Sequence, residues 1–65
     1  MITILKNACR YVKNTNGCVT RAHFAEDHEP IGEQLWDDLK NAGLVREDEY
    51  LRIFLTDAGE KLLAA

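Results

Sequence analysis

Pro30-Ile31-Gly32-Glu33-Gln34-Leu35-Trp36-Asp37-Asp38-Leu39-Lys40-Asn41-Ala42-Gly43-Leu44-Val45 is the stretch on which the fold turns. Ile31, Leu35, Trp36, Leu39 and Ala42 recur at helical spacing and predict a third helix with a wide buried stripe. Pro30 suits its first turn, because the fixed φ is helical and the missing N–H would have had no partner there. Gly43 is placed to end it in a left-handed conformation. Trp36 lies at the margin of the buried stripe, and Glu33, Gln34, Asp37, Lys40 and Asn41 form the outer face with Asp38 near its edge. Beyond Gly43, extended segments over 44–47 and 50–55 flank Asp48-Glu49 as a tight turn, which predicts a hairpin. In the second segment Leu51, Ile53 and Leu55 share one face, and Tyr50, Arg52 and Phe54 the other.

Upstream, Ile4, Leu5, Ala8, Cys9 and Val12 mark an amphipathic helix over residues 3–14, ended by Asn16-Gly17. Lys6, Arg10 and Lys13 fall at i, i+4 and i+7 on a stripe roughly opposite, the only basic stripe in the chain. Cys18-Val19 is short and β-compatible, and Thr20 is an N-cap for a second helix over 21–26 with Ala22 and Ala25 or Phe24 facing inward. Asp27-His28-Glu29 then forms the turn, since Pro30 disfavours helix at Glu29. Downstream, Thr56 caps a last helix over 57–64, with Asp57 near the positive end of its dipole and Ala58, Leu62 and Leu63 on its apolar side. Gly32 and Gly59 lie inside predicted helices, where glycine costs about 1 kcal/mol relative to alanine, so close packing is the expected reason for each. At Gly32 the close neighbour is the second helix or a ligand backbone.

This order resembles the winged helix-turn-helix domains of small bacterial and phage transcriptional regulators. The resemblance lies in Val19-Thr20-Arg21-Ala22-His23-Phe24-Ala25-Glu26, in Leu35 to Val45, where Ala42-Gly43-Leu44-Val45 looks like the family's entry to the wing, and in Leu55-Thr56-Asp57-Ala58-Gly59-Glu60-Lys61-Leu62-Leu63, which looks like its exit. It covers most of the chain from Thr3 onward. It implies an α+β, mostly helical single domain over 1–65, with a three-helix core, a β-hairpin wing and a short C-terminal helix. It also implies a DNA-binding, transcription-regulating protein whose groove-facing residues would be Pro30, Ile31, Glu33, Gln34, Asp37 and Asp38. These segments carry core and turn residues, so they speak for fold more than for function.

The charge pattern pulls against the usual use of that fold. All eleven acids follow position 25: the first 21 residues sum to +4 and the remaining 44 to 4 − 11 = −7, which gives the net −3. Six acids lie between Ala22 and Gly43, on the segment that would meet DNA. Of the groove-facing positions only Gln34 is a typical base reader, and three carboxylates beside phosphates repel them, offset on this helix by Lys40 alone. Glu47-Asp48-Glu49 repeats the problem at the wing tip. If double-stranded DNA is the partner, the contacts fall to Arg21, Gln34, Lys40, Arg46 and Arg52, with Lys6, Arg10 and Lys13 helping if the first helix lies near the duplex and a homodimer doubling the set. The alternative is a protein-interaction module in which Glu33, Asp37 and Asp38 meet a basic protein surface and Trp36, with Phe54 and Tyr50, supplies aromatic anchors. Trp36 also reads as core. A head-to-tail contact between basic and acidic helices of two copies would build rings or filaments.

Catalysis has little to stand on. His23 and His28 lack the i, i+4 spacing of paired zinc ligands, the glycines form no phosphate loop, and Asp37-Asp38 diverge by about 100° on a helix. No enzyme, metal or cofactor is expected. The N-terminus lacks a signal-peptide pattern and no apolar run approaches a membrane span, so a cytoplasmic location is expected. Cys9 and Cys18 then read as free thiols, and their pairing stays open should the chain reverse at Asn16-Gly17.

Overall fold

A computed structural model of the chain describes residues 2–65. It is a small α+β structure of four helices and one two-stranded antiparallel hairpin: α1 (Ile2–Thr15), α2 (Arg21–Asp27), α3 (Gly32–Asn41), β1 (Val45–Glu47), β2 (Ile53–Leu55) and α4 (Asp57–Ala64). The layout is compatible with the winged-helix arrangement. No helix among the described residues is long and apolar enough to cross a membrane.

The core draws on every part of the chain except α4. Ala8, Cys9 and Val12 of α1 meet Phe24 of α2, Leu35, Trp36 and Leu39 of α3, and Leu44, Val45 and Ile53 of the hairpin. Leu62 and Leu63 of α4 and Leu55 pack partly buried against this cluster. Trp36 is 1% exposed. Its ring meets Phe24 edge-on at 5.4 Å between centroids, so it is a core residue and drops out as a surface anchor. Ala22, Ala42 and Ala58 are exposed, as are Ile4 and, at 51%, Ile31. The buried stripes are therefore narrower than the apolar spacing predicts: Ile31 and Ala42 fall at the two caps of α3, outside the turns that pack on the core.

The chain stops are chemical and local. At the end of α3, Gly43 adopts φ +73°, its N–H donates to Lys40 O, and the Leu44 N–H donates to Leu39 O. This paired closure satisfies the last carbonyls and turns the chain straight into β1. Thr56 Oγ1 accepts from Gly59 N at 3.2 Å, capping α4, while its hydroxyl donates to Gly43 O. Thr20 caps α2 through a longer bond from His23 N, 3.5 Å.

Two sequence expectations shift. First, α3 begins at Gly32, not Pro30. Residues 28–31 form a turn in which Ile31 N donates to His28 O, and the first helical bond runs from Leu35 N to Ile31 O, so Pro30 lies in the turn. Second, the hairpin is shorter. Asp48 Oδ1 accepts from both Tyr50 N and Arg52 N at 2.9 Å, and Leu51 N donates to Asp48 O. Residues 48–52 thus form a closed loop held by one aspartate side chain. Leu51 consequently points outward, 62% exposed, instead of sharing the inner face with Ile53 and Leu55. Both cysteines are free thiols, as the sequence suggested, with Cys9 in the core and Cys18 at the surface.

The hairpin is anchored to the helices by the segment before α2. Val45, Arg46 and Glu47 pair with Leu55, Phe54 and Ile53. Beyond β2, Thr20 bridges Arg52, Ile53 N donates to Val19 O, and Arg21 N donates to Leu51 O. The predicted β-compatible Cys18-Val19 segment thereby lies along the hairpin and brings the start of α2 beside its tip.

Candidate functional site

The exposed face of α3 is set by how closely α3 approaches α2. A Cβ on Gly32 would collide with the backbone of Ala25, including its carbonyl oxygen, at 2.6 Å from its Cα and 2.7 Å from its C. Of the two neighbours open for Gly32, the second helix is the one present. With Leu35, Trp36 and Leu39 turned into the core, Glu33, Gln34, Asp37 and Asn41 face outward and Asp38 is half-buried. The Gln34 amide is not free to read a base edge as it stands, since Nε2 donates to Asp38 Oδ1 at 3.0 Å.

Most of the cations that could meet DNA are already occupied by this chain's own oxygens. Arg21 Nη2 lies 3.5 Å from Glu33 Oε1, and Lys40 Nζ lies 3.9 Å from Glu47. Arg52 Nε lies 3.3 Å from Asp48, and its guanidinium stands over the Tyr50 ring at 5.1 Å. On α1 the stripe turns toward α4: Lys13 pairs with Glu60 at 2.7 Å and Lys6 Nζ donates to Ala65 O at 2.8 Å. Arg10 donates to Asn7 Oδ1. Arg46 stands over Phe54 at 4.8 Å and borders an open cleft with Lys13, Asn14 and Asn16. Among the described residues, Lys6, Arg10, Arg46 and Lys61 have no side-chain carboxylate partner.

Each exposed pair is worth only about 0–1 kcal/mol, so a phosphate could displace the carboxylate at small cost. The decisive quantity is the sum of charge. From Arg21 to Gly43 there are six acids, Glu26, Asp27, Glu29, Glu33, Asp37 and Asp38, against Arg21 and Lys40: 2 − 6 = −4. Beside a duplex carrying one phosphate per ~1.7 Å of axis, that segment is repelled, and counterion release cannot supply its affinity.

Asp27 is tied into the scaffold. Tyr11 Oη donates to Asp27 Oδ2, and His23 Nε2 lies 3.3 Å from the same oxygen, linking α1 to α2. Partial burial, with the Asp27 hydrogen bond and its negative charge, pushes the Tyr11 phenol up to about 12. His28 is half-buried, stacked on Phe24 at 4.2 Å with Nδ1 against Phe24 O at 2.8 Å, so it supports the turn. At Asp48, partial desolvation raises the carboxyl, but the N–H groups of Arg52 and Tyr50 and the Arg52 guanidinium outweigh it and hold the group below its usual range.

Two surface residues that sequence reasoning placed inside belong to this region. Leu51 at the hairpin tip and Ile31 before α3 are exposed, and Tyr50 is 65% exposed. The Asp48 side chain, able to capture N–H groups two and four residues on, was the available signal for the tip. Comparison with protein-family models, curated proteins and solved structures finds no match to the chain.

Proposed function

We propose that the chain is a noncatalytic winged-helix interaction module whose α3 face and hairpin tip engage a basic surface on a protein partner. The observation that carries this reading is the −4 sum over the segment from Arg21 to Gly43, with Arg21 and Lys40 both held by the chain's own acids. Such a face favours cationic partners and rejects polyanions, by the same electrostatic complementarity that sets partner choice at protein interfaces. Glu33 and Asp37, exposed on one helix face, are the central contacts, with Asp38 at the edge.

A second reading, binding of double-stranded DNA in a regulatory role, is favoured by Arg46 and Arg10, which have no carboxylate partner, and by the resemblance to DNA-binding regulators. Under it the duplex lies against β1 and α1 and away from α3. The two readings separate in one titration series. Fluorescence anisotropy with a labelled 20-bp duplex and with a labelled lysine-rich peptide, each from 50 to 200 mM salt, is expected to give binding to the peptide only, abolished by Asp37→Lys with Asp38→Lys. Duplex binding with a steep salt slope, flattened by Arg46→Ala, would replace the first reading with the second.

A further inference from the structure

Leucine is an unfavourable choice at position 51 for folding. Its φ is +64°, a left-handed conformation in which a side chain crowds its own backbone and for which glycine or asparagine is the usual residue. The strained conformation is held by several bonds: Leu51 N donates to Asp48 O, Leu51 O accepts from Arg21 N, and Asp48 Oδ1 holds the N–H groups on either side of Leu51, those of Tyr50 and Arg52. Instead of burying the leucine, this bracing projects it into solvent beside Tyr50; at 62% and 65% exposed they are the two most exposed large hydrophobics of the described chain. The Tyr50 ring already carries the Arg52 guanidinium at 5.1 Å, while strain together with apolar exposure at Leu51 points to a contact made elsewhere.

The tip is continuous with the acidic face. Leu51 O holds Arg21 N, the Arg21 guanidinium holds Glu33, and Glu33 is two residues from the exposed Ile31. We infer that the partner presents a short amphipathic basic segment whose apolar side chains pack on Tyr50 and Leu51 while its cations meet Glu33 and Asp37. Apolar anchors bordered by acids, with the adjacent Arg21 and Arg52 paired to Glu33 and Asp48, specify that chemistry: the aromatic ring and the leucine supply the desolvated centre, and the carboxylates supply orientation and reject anionic competitors. This inference rests on the interaction reading above and names its partner class.

Two labelled 14-residue peptides test it on the full chain at 150 mM salt: one of lysines and leucines with the leucines at i, i+3, i+4, i+7 helical spacing, the other with every leucine replaced by alanine. The leucine peptide is expected to bind at least tenfold more tightly. Leu51→Asn, which suits the left-handed backbone and so keeps the tip folded, and Tyr50→Ala are each expected to remove about that tenfold preference while leaving the alanine peptide's binding unchanged. Glu33→Lys with Asp37→Lys is expected to weaken both peptides. If both peptides bind through Glu33 and Asp37 but Leu51→Asn changes neither, the apolar anchor is refuted and the acidic interaction face stands. If neither peptide depends on Glu33 and Asp37, both proposals fall. A sedimentation experiment showing that the wild type dimerises, and that Leu51→Asn abolishes the dimer, would overturn the inference in favour of a second copy as the occupant.

Discussion

Replacing Gly32 by alanine should destabilise the protein, although helix propensity alone predicts the reverse. Alanine removes a glycine penalty of up to about 1 kcal/mol at the start of α3. Its Cβ, however, would enter the backbone of Ala25, at 2.6 Å from Cα and 2.7 Å from C, with the carbonyl oxygen nearer still. Backbone cannot rotate away as a side-chain tip can, so α2 and α3 must separate, and overpacking of this kind costs about 1–3 kcal/mol or more. The net expectation is a loss of about 1–2 kcal/mol; at roughly 4–8 °C per kcal/mol for a domain of this size, the melting temperature falls by about 5–15 °C. Thermal and urea unfolding followed by circular dichroism measure it, with the exposed Asn41→Ala as a control expected within about 0.5 kcal/mol of wild type. Ala25→Gly in the same background should give no rescue, because the obstructing atoms are Ala25's own O, Cα and C. A raised melting temperature in Gly32→Ala, or rescue by Ala25→Gly, would refute the close helix approach that positions Glu33.

Three further outcomes follow from the scaffold. The Tyr11 phenol, pushed up to about 12 by partial burial and by Asp27, keeps its proton in the folded state where the unfolded chain has lost it. Its stabilising contribution is therefore complete below about pH 10 and is lost as pH rises toward 12; alkaline melts should show this loss in the wild type and less of it in Tyr11→Phe. A thiol reagent such as DTNB should modify Cys18 rapidly in the native protein, whereas Cys9, buried and with its thiol pushed up by desolvation, should react only on opening; two equally fast thiols would contradict the core. Thr56→Ala should cost about 1–2 kcal/mol, since Thr56 both caps α4 and bonds Gly43 O, and Thr20→Ala, with its longer cap bond, should cost less in the same denaturation assay.

Helix spacing and terminators were legible from residue order alone, because they depend on neighbours within four positions. Ala8, Cys9 and Val12 reach the core as their period demands, Thr20 and Thr56 cap, and Gly43 closes α3. The tip was not legible: Asp48 captures the N–H groups that a two-residue hairpin turn would have given to the ladder, which reverses the side on which Leu51 lies. Nor were the charge pairs. Lys13 and Glu60 are 47 residues apart, and Arg21 meets Glu33 only because the Gly32 contact draws α3 against α2. The candidate face was thus visible as a list of acids, while the occupation of its neighbouring cations and the apolar tip beside it required the fold.

The most direct test is a titration of the 15N-labelled chain, followed by NMR amide shifts, with the lysine–leucine peptide and separately with the 20-bp duplex at 150 mM salt. Peptide-induced shifts centred on Glu33, Asp37, Tyr50 and Leu51 are expected, with no saturable change on adding the duplex. Saturable duplex shifts centred on α3 would contradict the interaction reading.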